Sequence, residues 1–233
     1  MGAYFKTLSA ACGAIAGLAI SSASAATVSE TFDFTAATGH EVGTSLSFTE
    51  GDLGLTVNAS FYNTPTGTIG EPLVASSDLY VIRQEHYGIY VSYHGDNDHR
   101  IDGYYNEVAL FEFTEEVTIT NITFGSVAHG STFDMFVGND GTLEFAGDYS
   151  VAQSVSTTVN AEVFGIGASA DNVHCVSYNR HGHCSQLGGS YSAFKITSLT
   201  VSYEELAPVP LPAGAVLLLG GLGLLGAARR RKG

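Results

Sequence analysis

The chain has 233 residues with 23 acidic and 9 basic side chains, a formal charge of −14, and its field repels phosphate backbones and anionic surfaces. Nucleic acid is excluded as a partner on that ground. The asymmetry sharpens in the body, where only Arg83, Arg100, Arg180 and Lys195 stand against all 23 carboxylates; the plainest reading of such acidity is solubility outside a cell.

At the N-terminus Lys6 precedes the apolar stretch Ala10 to Ile20, and Ala23-Ser24-Ala25 supplies the small-x-small pattern of a signal-peptidase site. Residues 1–25 therefore read as a signal peptide cleaved between Ala25 and Ala26, and the chain as exported. Cys12 argues little for a lipid anchor, because it opens the apolar region and Ser9-Ala10-Ala11 lacks the large aliphatic residue a lipobox needs.

Residues 26–206 make one domain, long enough to bury a proper core. Leu53, Leu55, Val57, Ala59 and Phe61 alternate with Gly54, Thr56, Asn58 and Ser60, the period of two of a half-buried strand. Further strands are predicted at 31–35, 45–49, 79–83, 88–93, 107–113, 117–124, 132–137, 151–159, 162–166 and 193–203, with no helical stripe. Two of these change phase: Val117 and Ile119 give way to Ile122 and Phe124, and Phe194 and Ile196 to Leu199, Val201 and Tyr203. Bulges near Asn121 and Ser198, or crossings between sheets there, account for the slips. The expected fold is an all-β antiparallel sandwich of jelly-roll type, with a closed barrel as the alternative.

Three constellations bear on chemistry. Gly95 to Gly103 concentrates Asp96, Asp98 and Asp102 with Asn97 in one loop, an oxygen-rich set that suits calcium, although Arg100 and Ile101 break the EF-hand pattern. The competing reading is a solvated turn. Next, His174-Cys175 and His181-Gly182-His183-Cys184 crowd two cysteines and three histidines together, yet the spacing matches no standard zinc signature. In an oxidising space a Cys175 to Cys184 disulfide closing a ten-residue loop is the simpler expectation, contributing about 2–3 kcal/mol. Lastly, no nucleophile elbow, His-Glu-x-x-His helix or phosphate-cradling loop occurs, so no catalytic role and no obligatory cofactor are expected. Tyr87, Tyr90, Tyr93, Tyr104 and Tyr105 either pack the core or form an aromatic face; exposed rings beside the Asp96 to Asp102 loop favour ligand binding, and buried rings a structural role.

At the C-terminus Pro208, Pro210 and Pro212 stiffen a linker over 207–212. Residues 213–233 then carry an apolar segment, followed at once by Arg229, Arg230, Arg231 and Lys232. The uncharged run from Val209 to Ala228 is about the ~20 residues a helix needs to cross a bilayer, and the basic cluster holds its end in the cytoplasm with the body outside. Val209-Pro210-Leu211-Pro212-Ala213 with this span and cluster resembles the carboxy-terminal sorting signal of the PEP-CTERM family of bacterial surface proteins, in its VPLPA variant. The segment from Asn106 to Phe113, after its Ile-Asp turn, is similar to the central part of many ectodomains of that family. The resemblance implies a membrane precursor read by an exosortase-type enzyme, and a surface or matrix protein associated with exopolysaccharide. A passive single-pass anchor is the alternative for the tail, and a carbohydrate-binding module, with or without calcium, is the alternative for the body.

Overall fold

Alternation along the chain becomes a sheet folded over on itself. The computed structural model describes residues 26–36, 38–62, 73–75, 79–93, 99–103, 106–139, 142–169, 174–180, 184–189 and 191–205. The expected signal peptide, the linker with Val209 to Ala213, the apolar segment and the basic cluster lie outside these residues. So do Asp96, Asp98, Tyr104 and Tyr105. No helix among the described residues is long and apolar enough to cross a membrane.

The strands are β1 (Ala26–Asp33), β2 (His40–Gly43), β3 (Ser45–Glu50), β4 (Leu53–Tyr62), β5 (Leu73–Ala75), β6 (Leu79–Gln84), β7 (Gly88–Tyr93) and β8 (Ile101–Asp102). They continue as β9 (Glu107–Gly125), β10 (Thr132–Asn139), β11 (Thr142–Ser150), β12 (Ser154–Ala168), β13 (His174–Tyr178), β14 (Cys184–Gly188) and β15 (Ala193–Glu205). All but β13 and β14, which form a separate hairpin, belong to one sheet, whose long strands pair antiparallel.

The long strands β9 and β12 decide the architecture. Residues 107–113 of β9 pair with β4, whereas residues 118–125 pair with β15. Between them β9 advances five residues, Glu112 to Val117, while its partner β12 advances two, Val163 to Ala161. The extra length is the outside of a corner, and Thr114, Glu115 and Glu116 are exposed on it. Both strands thus serve two layers, so the arms of the sheet face each other across one core. Phe32 and Phe34 on the β15 side meet Phe113 and Phe111 on the β4 side at 5.9 and 6.2 Å between ring centroids. Phe133 likewise meets Phe124 and Phe194 at 5.1 and 6.3 Å. Burying each such ring contributes about 1.5–3 kcal/mol.

Two of the expected phase slips are bulges. Thr197 of β15 is skipped between the pairs Ile196↔Phe124 and Ser198↔Thr123, and Thr120 of β9 between Thr200↔Asn121 and Val201↔Ile119. Each returns the next apolar residue to the inner face. The all-β antiparallel expectation holds at this level.

Strand β1 lies beside the lower part of β15. Phe34 N donates to Thr197 O at 2.9 Å, and the Thr31 and Thr200 hydroxyls are 3.0 Å apart, so the residue numbers rise on one strand as they fall on the other. Continued to the strand ends, that register sets Thr27 across from Glu204. The opposite end of β15 meets β8 through the pairs Ala193↔Asp102 and Phe194↔Ile101.

Candidate functional site

The turn between β6 and β7 is closed by Tyr87 N donating to Gln84 O at 3.0 Å. His86 and Gly88 take φ of 66° and 91°, the second of which glycine alone adopts without strain. A side chain at Gly88 would also drive its Cβ into the Ile196 carbonyl, so the turn lies directly on the β15 backbone. Glu85 N and His86 N donate to Gly39 O and Thr35 O, each at 3.1 Å, and the turn is thereby held from both sides.

Lys195 rises from β15 beneath this turn. It is only 5% exposed, and its ammonium donates to Gln84 Oε1 at 2.6 Å. The same nitrogen lies 5.1 Å from the Tyr87 ring centroid and 4.6 Å from that of Tyr90. Cation–π attraction of about 0.5–2 kcal/mol per ring suits a charge held this far from water. Tyr90 in turn stacks with His99 at 5.8 Å. The result is a continuous group of buried cation, buried Tyr90, exposed His99 and Tyr87, the last 53% exposed.

A second buried charge sits at the start of β9. Glu107 is fully buried; its Oε1 accepts from Tyr93 N and its Oε2 from Asp102 N, both at 3.0 Å. Its carboxylate thus joins the end of β7 to β8, supplying acceptors for two amides. Asn106, with φ of 56°, provides the backbone twist that aims it there.

The expected site residues divide as follows. Of Asp96, Asp98 and Asp102, only Asp102 is described; it is buried in the β8 pairing. Among the described residues no group of three His, Cys, Asp or Glu is placed to hold a metal ion. Tyr87 and Tyr93 are exposed while Tyr90 is buried, so the tyrosines split between the two roles set out for them.

Cys175 pairs with Leu187 and Cys184 with Tyr178 in the β13–β14 hairpin. Three ladder positions, about 10 Å along a strand, then separate the cysteines, beyond the ~7 Å between Cα atoms that a disulfide spans. That backbone register sets the two positions apart, while the side chains of Cys175 and Cys184, and with them the expected cross-link, lie outside what the structure describes.

Lys195, Gln84 and Glu107 carry no local motif. The one available signal was Lys195 itself, a cation within Ala193-Phe194-Lys195-Ile196 in a body with three others.

No protein-family model matches the chain, and no curated protein matches it. Among solved structures, the family 32 carbohydrate-binding module of C. perfringens NanJ in complex with galactose is similar with a TM-score of 0.31 and 11% sequence identity. The match covers 64% of this chain and 93% of that one.

Proposed function

We propose that this is an exported protein whose strand-built body, of jelly-roll-like type, acts without catalysis at the cell surface or in the extracellular matrix. The carrying observation is the ordered C-terminal set: Val209 to Ala213, an uncharged span, then Arg229 to Lys232. In this reading the tail holds a precursor in the inner membrane as a helix, and an exosortase-type enzyme recognises it there.

The test compares the unaltered protein with a Pro210→Ala, Pro212→Ala double variant by intact mass in membrane and secreted fractions. Hydrophobicity scarcely changes, so the variant should be exported but accumulate as uncleaved precursor. Surface protein that retains Arg229 to Gly233 in the unaltered chain would reduce the tail to a passive anchor.

A second reading, a carbohydrate-binding module, is favoured by the exposure of Tyr87 and Tyr93 at the two ends of β7. An exopolysaccharide is the partner this implies. Glycan-array binding by the exported protein, with and without calcium, tests it; loss of signal on chelation would make the binding cation-dependent.

A further inference from the structure

Tyr87 is more than an exposed ring. Its turn is pinned by three backbone hydrogen bonds and by the close approach of Gly88 to Ile196. One ring face lies toward the Lys195 ammonium, and 53% of the residue is exposed. A ring fixed from beneath has little conformational freedom left to lose when a ligand covers it, which is the condition for efficient stacking.

The ligand class follows from charge. Four cations stand against 23 carboxylates in the body, so an anionic polymer is repelled on approach. Lys195 does not reverse this locally, because it is buried under the ring with its ammonium on Gln84. Two residues before the ring in the same turn, Glu85 keeps 44% of its side chain exposed, with its Oε2 accepting from Gly39 N at 3.1 Å and its Oε1 lying 3.4 Å from His86 Nε2. Such a held carboxylate accepts hydrogen bonds from sugar hydroxyls and disfavours a second carboxylate. His99, exposed and stacked on Tyr90, adds a further polar group.

We propose that Tyr87 is the stacking platform of a shallow site for a neutral pyranose, with Glu85 hydrogen-bonding the sugar and Lys195 positioning the ring from below. This rests on the carbohydrate-binding reading and adds the residue that carries it and the charge of the sugar.

The test is saturation-transfer NMR and titration of the exported protein with cello-, manno- and galacto-oligosaccharides, and with oligogalacturonate as the anionic probe. At least one neutral oligosaccharide should bind. Tyr87→Ala should weaken that binding about tenfold or more. Because the ring is half-exposed and gives up one cation–π contact, the unfolding temperature should fall by no more than about 5 °C. Tyr178→Ala, at an exposed tyrosine on the β13–β14 hairpin, should leave binding unaltered. Neutral-sugar binding that survives Tyr87→Ala would overturn this site while leaving the carbohydrate reading intact. No binding of any probe by the unaltered protein would overturn both, and preference for oligogalacturonate would overturn the neutral assignment.

Discussion

Glu107 and Lys195 are both buried charges, yet the fold uses them differently. Glu107 gives its two oxygens to the amides of Tyr93 and Asp102, and so stands in for ladder bonds where β7, β8 and β9 converge. Lys195 meets the Gln84 side chain and two tyrosine rings, one of which is half-exposed. A charge bonded to backbone belongs to the architecture. One that ends under an exposed ring can tune a surface.

The difference has consequences for stability. Glu107→Ala strands two buried amides and should destabilise the protein by about 3–5 kcal/mol, lowering the melting temperature by roughly 10 °C or more. Glu107→Gln, which keeps one acceptor oxygen, should lose less. Calorimetry on the two variants checks this, and a Glu107→Ala protein within about 1 kcal/mol of the original would remove the architectural role.

Gly88→Ala comes next. The positive φ and the Ile196 carbonyl both oppose a Cβ, at a cost of about 1–3 kcal/mol by urea titration. Because it displaces the turn that carries Tyr87, it should weaken sugar binding as well, which Glu107→Gln should not.

Lys195→Met should cost less again, about 1–2 kcal/mol. It loses the Gln84 bond and two ring contacts but also relieves the desolvation of a buried charge. A loss as large as that of Glu107→Ala would erase the contrast between the two sites.

The smallest effect concerns the hairpin. With Cys175 and Cys184 three positions apart, reduction should change stability by well under the ~2–3 kcal/mol of a ten-residue disulfide loop. Both thiols should take an alkylating label in unreduced, denatured protein. A linked pair would mean that β13 and β14 pair in another register.

Much of the strand pattern was legible because it is local. β7 is found at its expected residues, and both bulges fall within one residue of Asn121 and Ser198. The break expected between Phe113 and Val117 is the corner of β9, which the sequence shows only as a gap. Strand β11 escaped notice, since Ala146 and Gly147 leave only Leu143, Phe145 and Tyr149 to carry its alternation. At the candidate site Tyr87, Tyr90 and Tyr93 were visible as a cluster. Their sorting into exposed and buried rings was not, because Lys195 comes from more than a hundred residues away.

By itself the sequence determined the acidity, the period-two alternation and the phase slips, since each depends on residues close together in the chain. It also holds the two terminal patterns from which export and sorting are proposed. Only the tertiary structure decided that β9 and β12 each serve two layers, that Glu107 joins β7 to β8, and that Lys195 lies under Tyr87. Those outcomes turn on which strands become neighbours, and burial and hydrogen-bond partners are properties of the assembled sheet rather than of any segment.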